Sequence, residues 1–282
     1  YGDDHFRRPD GGHTLYAPFM EGNIMDAFAT EMAGEIYAQH NGIFGMVGLS
    51  NGMIKGSVDS LPDNSDGTGT ARPSIYFKGG IDKQVNDYTR LRLSGSWYHN
   101  KGSNGSGLTL YSGDRSGSNY QNVMEKKYNA AGAAQGSTAM FSSGRFNPDF
   151  SGKLDAVMLN AFAKVKGFEL YGTYEIASGY AKMENKTEEK VESRKANQFA
   201  IDGLYRFGSK ENLYVGARYN QVKADLYGYD EKVNINRYAV AGGWFLTNNI
   251  LLKAEYVKQQ YKDFKNSDYR HNGKFNGVVV EA

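Results

Sequence analysis

Apolar and polar residues alternate along much of this chain, and this period of two constrains the fold more than any other feature of the sequence. In Phe168–Ile176 the even positions are apolar or small and the odd positions are polar or tyrosine. Asn212–Asn220 has the inverted phase, and Leu91–Tyr98, Phe199–Phe207 and Ile250–Tyr256 repeat the alternation. Because successive side chains of a strand point to opposite faces, each segment is predicted to be a β-strand with one apolar and one polar face.

The overall composition agrees with such strands and excludes several classes of protein. Aromatic residues make up 13% of the 282 residues, yet the mean hydropathy is only −0.61. An apolar outer band on an otherwise polar strand protein is typical of a transmembrane β-barrel. The sequence contains no run of about 18 apolar residues, so no membrane-spanning helix is predicted. The chain has no cysteine, which excludes disulfides and thiolate sites, and its net charge of +2 gives no reason to expect a nucleic-acid partner.

The connections between the predicted strands alternate between short and long. Residues 41–42 and 166–167 form tight turns, whereas 51–71 and 100–150 are long, and 79–87 is read as a fairly short connection. Short turns at one rim and long loops at the other are typical of outer-membrane barrels, whereas a Greek-key sandwich would not keep this alternation. We therefore predict an all-β fold, an antiparallel transmembrane β-barrel with strands at 28–40, 42–50, 72–79, 88–99, 151–165, 167–180, 195–207, 211–222, 234–247, 249–260 and 274–282.

These eleven strands are an odd number, whereas single-chain bacterial barrels have an even number. Residues 12–20 are one source of a twelfth strand, although Pro18 argues against it. The alternative, which we favour, is that residues 1–282 form one barrel domain that is the C-terminal part of a longer chain. In that case 28–40 should not pair with 274–282.

Several passages resemble the phosphate-selective porins of the O and P type, in a form like that of Bacteroidetes members. They are Phe19–Glu21, Gly34–Tyr37, Gly45–Gly52 and Phe275–Ala282. Gly45–Gly52 follows a short turn and ends a strand on Asn-Gly, and Phe275–Ala282 resembles the last strand of those proteins. The resemblance implies a bacterial outer-membrane barrel of about sixteen strands, often trimeric, that passes small anions. It also implies that strands N-terminal to this chain complete the barrel.

The polar phase of the strands is predicted to line the lumen of the barrel. Fixed cations there would concentrate anions. Alternatively, acidic and basic side chains in nearly equal number would compensate one another and brace the wall. Because the two signs of charge are nearly balanced, the second interpretation is favoured. Arg90 and Arg92 stand apart because their own strand carries no acid on that face. The candidate pore-lining residues are Arg90, Arg92, Arg206, Arg218, Arg237, Lys253, Lys164, Glu169, Glu175 and Asp202.

No catalytic or metal site is predicted. His99 follows Ser94 and Ser96, but the alternation places it on the opposite face from both serines. The loop Asp63–Gly67 carries oxygen ligands without the glutamate that completes an EF-hand, so a plain polar loop is favoured over a calcium site. Tyrosine and tryptophan at strand ends are read as interfacial girdles rather than as sugar-stacking platforms.

Two functions follow from this sequence. The first is an outer-membrane porin, without a cofactor, for passive diffusion of small and anionic solutes through a homotrimer or larger complex surrounded by outer-membrane lipid. The second is an accessory barrel with a plugged lumen, docked to a larger outer-membrane complex. Residues 100–150 decide between them, because this segment either folds into the lumen, covers its mouth, or forms a disordered surface loop.

Overall fold

A computed structural model of the chain describes residues 17–20, 22–27, 31–53, 73–101, 110–111, 123, 127–128, 134–135, 144–181, 184, 191–208, 210–247 and 249–282. The strands are β1 (Glu31–His40), β2 (Ile43–Met53), β3 (Ser74–Asn86), β4 (Thr89–Lys101), β5 (Lys127–Tyr128), β6 (Ala134–Gln135), β7 (Lys153–Val165), β8 (Phe168–Tyr180), β9 (Arg194–Phe207), β10 (Leu213–Ala224), β11 (Val233–Thr247), β12 (Ile250–Lys262) and β13 (Lys274–Glu281). None of the described residues belongs to a helix that is long and apolar enough to span a membrane.

The strands form one antiparallel meander, in which each strand pairs with its neighbours in chain order. Eleven strands make the main sheet, in the order β1-β2-β3-β4-β7-β8-β9-β10-β11-β12-β13, and β5 pairs with β6 separately. Within the described residues β1 pairs only with β2 and β13 only with β12, so the sheet is not closed into a barrel. Residues 32–40 of β1 are exposed on both faces, as expected for an open edge.

The predicted strands and connection lengths are largely confirmed. The turn at Asn41–Gly42 has φ values of 52° and 81°, the left-handed pair that a two-residue hairpin turn requires. One predicted connection, 79–87, is wrong, because β3 continues to Asn86 and the turn is only Asp87–Tyr88. Although most residues at the end of β3 are polar, they continue the alternation between the two faces of the sheet. Residues 17–20 form no strand, while 12–16 and the predicted strand start at 28–30 lie outside the described residues.

The two faces of the sheet have opposite polarity to those of a water-soluble protein. On the inner face, defined here by Asp202, Arg206, Arg218 and Gln259, most strand side chains are buried although many of them are polar or charged. The outer face carries large apolar side chains, many of them 37–74% exposed. Neighbouring strands keep the same phase because their registers pair inner with inner and outer with outer residues.

Two stretches outside the sheet cover the inner face. One is residues 17–20 and 22–27, called here the inner segment, and the other is residues 144–150. Ile24, Met25, Phe146 and Phe150 are at most 2% exposed and belong to an apolar cluster with inner-face residues near the long-loop ends of the strands. The backbone N–H of Phe146 donates to the carbonyl of Ile24 at 2.6 Å, which joins the two stretches.

Candidate functional site

The centre of the inner face holds two arginine–carboxylate pairs. The guanidinium of Arg218 donates two hydrogen bonds of 2.7 Å to the carboxylate of Asp202, its direct partner across β9 and β10. Nε of Arg206 donates to Oε1 of Glu169 at 2.8 Å. All four residues are at most 6% exposed, so each charge depends on its partner for the solvation that water would otherwise supply.

Arg90 and Arg92 share one carboxylate near the short-turn end of the sheet. Nε and NH2 of Arg90 lie 2.9 and 2.8 Å from the oxygens of Asp82, and NH1 of Arg92 lies 3.0 Å from Oδ2 of the same residue. We expected these arginines to act without a nearby acid, since β4 itself carries none on this face. The acid comes from the adjacent strand, because the β3–β4 register places Asp82 opposite Arg92.

The remaining predicted residues also lie on the inner face. Lys253 pairs with Glu281 at 2.8 Å, and Lys164 lies between Glu211 at 2.6 Å and Glu169 at 3.5 Å. Arg237 and Glu175 have no exposed surface. The whole set of predicted pore-lining side chains is therefore on one face, where most of the cations contact a carboxylate.

Two amide side chains hold the inner segment by its backbone. Oε1 of Gln198 accepts the N–H of Met25 at 2.8 Å, while Nε2 of Gln198 donates to the carbonyl of Met25 at 2.7 Å. Oδ1 of Asn220 accepts the N–H of Ile24 at 2.7 Å. Gln198 thus satisfies both backbone groups of one residue, as a neighbouring strand would.

Further contacts extend this attachment toward β12. Oε2 of Glu255 accepts the N–H of Met20 at 2.6 Å, and NH1 of Arg237 donates to the carbonyl of Gly22 at 2.8 Å. The guanidinium of Arg218 lies 4.4 Å from the ring centroid of Phe19. The inner segment is therefore held by side chains from several strands. Sequence reasoning missed it, because its binding residues are far apart in the chain and its own sequence has no strand period.

The described parts of 100–150 also contact the inner face. Tyr111 donates its hydroxyl proton to Oε1 of Glu175 at 2.8 Å, and Nε2 of Gln259 donates to the carbonyl of Gly144 at 2.8 Å. Tyr111 and Gly144 therefore lie against the inner face of the sheet.

The residues considered for catalysis lie on opposite faces, as the alternation predicts. Ser94 and Ser96 are buried on the inner face, whereas His99 lies on the outer face, where its Nδ1 is 2.6 Å from Oδ1 of Asp155. This His–Asp contact was not predicted, because only the β4–β7 register brings the two residues together. No group of three or more histidine, aspartate or glutamate side chains able to hold a metal occurs in the described part of the chain, and Asp63–Gly67 lies outside it.

Most of the aromatic side chains considered as girdles lie on the outer face. Those with large exposed fractions are Tyr88, Trp97, Tyr174, Tyr205, Tyr238, Trp244 and Tyr256, and Tyr219 contacts Tyr238 with ring centroids 5.0 Å apart. Tyr98 and Tyr171 differ, because each occupies an inner-face position and is only 4% exposed. Their hydroxyls bond to polar inner-face groups, that of Tyr171 to Oδ1 of Asn160 at 2.8 Å.

The loop between β12 and β13 is organised by Asp268. Its carboxylate accepts hydrogen bonds of 2.9 and 2.7 Å from Arg270 and one of 2.9 Å from the hydroxyl of Tyr229. Burial opposes the ionisation of Asp268, but the hydrogen bonds from Arg270 and Tyr229 outweigh it and hold its pKa below the usual range. Burial and the Asp268 hydrogen bond both raise the pKa of Tyr229.

The depressed pKa of Asp268 predicts a pH-dependent contribution to stability. A lowered folded-state pKa stabilises the fold above the unfolded-state value of about 3.9, and the contribution is lost as pH falls through the folded-state pKa. Asp268→Asn should therefore lower the free energy of unfolding by about 1.5–3 kcal/mol at pH 7. Denaturant unfolding over a pH series should show this difference shrinking below about pH 4, and a difference independent of pH would contradict the assignment.

The fold and site together define an antiparallel β-meander with an apolar outer face and a charge-paired inner face. No protein-family model matches the chain, and the comparison with curated proteins also finds no match.

Proposed function

We propose that this chain forms the wall of a bacterial outer-membrane porin, a transmembrane β-barrel of about sixteen strands through which small solutes diffuse passively. The observation that carries the proposal is the polarity of the sheet, with buried charges on the inner face and exposed apolar side chains on the outer face. A sheet of this polarity is stable where the outer face contacts hydrocarbon and the inner face contacts water or polar chain. The resemblance to porins of the O and P type supports the same conclusion.

The height of the apolar surface fits this role. On β9 the outer residues from Phe199 to Phe207 are apolar or glycine, and they extend about 27 Å along the strand. A strand tilt of roughly 40° reduces this to about 21 Å along the membrane normal, close to the apolar band of outer-membrane barrels. Tyr205 and Phe207 end this band at the short turns, as interfacial aromatic residues do.

The charge pairing on the inner face argues for weak selectivity. Asp202 and Glu169 each neutralise an arginine, so these pairs brace the wall and leave little net charge for a passing ion. Arg90 and Arg92 differ, because both guanidinium groups contact the same carboxylate, that of Asp82. The proposed channel therefore favours small anions modestly, and the preference arises chiefly at this cluster.

Single-channel recording in a planar bilayer under a salt gradient tests the proposal. The closed barrel that contains these strands should conduct, with a reversal potential that indicates a preference for anions. Arg90→Ser combined with Arg92→Ser should lower the anion-to-cation permeability ratio, since each fixed charge contributes about 1 kcal/mol at most in a wet pore. Asp82→Asn is the matched variant, and it should raise the ratio because it removes the negative charge that both guanidinium groups contact.

A barrel that inserts but stays silent even after the inner segment is released would refute the porin. If neither variant changed the permeability ratio, the protein would still be a channel, but Arg90, Arg92 and Asp82 would only brace its wall.

A second function, an accessory barrel with a closed lumen, is favoured by one observation. The inner segment is bound through its backbone by Gln198, Asn220 and Glu255, an attachment that suits a permanent plug. A full-length chain that inserts and remains silent, with silence persisting after the inner segment is released, would favour this function over the porin.

A further inference from the structure

Lysine side chains form a row on the outer face, near the long-loop ends of the strands. The row, called here the lysine row, consists of Lys195 on β9, Lys223 on β10, Lys258 and Lys262 on β12 and Lys274 on β13, and all five side chains are exposed. None of the five ammonium groups forms an ion pair with a carboxylate among the residues that the structure describes.

Strand register makes the row continuous. Lys223 pairs with Asn197, two residues from Lys195 on the same face, and on its other side it pairs with Asn234. Asn234 in turn pairs with Lys262. Gln260, which shares the outer face with Lys262, pairs with Lys274. The positive groups therefore extend along one edge of the outer face over five adjacent strands and are separated only by neutral polar side chains.

Acidic side chains are scarce on the strands at this edge, and the carboxylate of Asp225, directly after β10, accepts the backbone N–H of Lys195 at 3.3 Å and pairs with the ammonium group of Lys232 at 3.0 Å. Among the described strand residues, Asp155 is the only acidic side chain on the outer face, and it lies 3.1 Å from Lys153. The other strand acids, such as Asp82, Glu169 and Asp202, face inward and pair there. The field of the lysine row is consequently not compensated by the strands that carry it.

The lysine row borders the apolar surface directly. Lys258 pairs with Tyr238, which is 52% exposed, and two residues further along β12 the outer residue is Tyr256. Tyrosine at this position is typical of the boundary between hydrocarbon and headgroups. Lysine at the same boundary extends its ammonium group toward the headgroups while its methylene chain covers apolar surface.

We propose that the lysine row binds the phosphate groups of anionic lipids in the leaflet on the long-loop side. This inference rests on the proposed membrane-spanning role. The ligand chemistry follows from charge complementarity: a row of unpaired ammonium groups at headgroup depth attracts phosphate, and each basic residue there contributes about fivefold in affinity. Among the residues that the structure describes, the short-turn edge carries no equivalent row on the outer face, so the two leaflets are distinguished. The lipid-phosphate surface is separate from the inner-face charges, which act on solutes.

Lipid selectivity can be measured with a reporter tryptophan beside the row. The full chain carrying W97F, W244F and Y238W is folded into phosphatidylcholine vesicles that contain brominated phosphatidate or brominated phosphatidylcholine. Quenching of the reporter gives the ratio of the two lipid association constants. We expect phosphatidate to be preferred, and the preference to weaken as salt is added. Replacing Lys223, Lys262 and Lys274 with glutamine should reduce the ratio about a hundredfold.

The matched control removes three lysines, Lys83, Lys166 and Lys210, at the short-turn end, again by glutamine. This control should leave the ratio unchanged. An equal loss in both variants, or no loss in the row variant, would overturn the proposal, as would complete displacement of phosphatidate by inorganic phosphate. Absence of quenching by either brominated lipid would refute membrane insertion itself, whereas equal quenching by both lipids would retain insertion and refute only the lipid-phosphate surface.

Discussion

Replacing Arg218 with methionine is expected to lower the free energy of unfolding by about 3–5 kcal/mol. The substitution leaves the carboxylate of Asp202, only 5% exposed, without the two hydrogen bonds that Arg218 donates. It also removes the cation that stacks on Phe19 of the inner segment. Denaturant unfolding of the chain folded in detergent, followed by circular dichroism, measures the loss.

The double variant R218M/D202L tests whether the loss of stability in R218M comes from the uncompensated carboxylate or from the missing arginine side chain. Replacing both members with apolar residues removes the uncompensated charge, so we expect the double variant to be more stable than R218M alone. Arg90→Met provides a comparison at an exposed site, because its side chain is 41% exposed, and its cost should be below about 1 kcal/mol. A double variant as unstable as R218M would show that the arginine contributes through packing instead.

Releasing the inner segment is expected to raise the single-channel conductance severalfold. Gln198→Ala combined with Asn220→Ala removes the three hydrogen bonds to Met25 and Ile24 described above. Each lost bond to a buried backbone group costs about 1–3 kcal/mol, enough to free a short segment. Planar-bilayer recording should then show larger or more frequent openings than those of the unmodified chain.

A matched amide pair on the outer face controls for the loss of side chains. Nε2 of Gln221 donates to Oδ1 of Asn236 at 2.9 Å, and neither residue contacts the inner segment. Gln221→Ala combined with Asn236→Ala should therefore leave the conductance unchanged. Equal conductance in both double variants would mean that the inner segment does not narrow the proposed pore.

The strand pattern was readable from the sequence because it is local. The phase of Phe199–Phe207 or Ile250–Tyr256 assigns each residue to a face without knowledge of the rest of the chain. The ten candidate lining residues could be placed on one face for the same reason. Strand ends were less accurate where polar residues are frequent, as in β3, where four of the last six residues up to Asn86 are polar.

Pairing between charges was not readable from the sequence, because it depends on strand register. Asp82 is eight residues from Arg90 and is read as part of a connection until the β3–β4 register sets it opposite Arg92. His99 and Asp155 are 56 residues apart and meet only through the β4–β7 pairing. A shift of one residue would have put such partners on opposite faces.

The sequence by itself determined that this chain forms antiparallel strands with one apolar and one polar face, joined by alternating short and long connections. Side-chain alternation and turn chemistry act over a few residues and need no tertiary context. Only the tertiary structure decided what covers the polar face. The inner segment contacts Gln198, Asn220 and Glu255, from 173 to 235 residues away in the chain, and contacts at such separation arise only when the sheet brings those strands together.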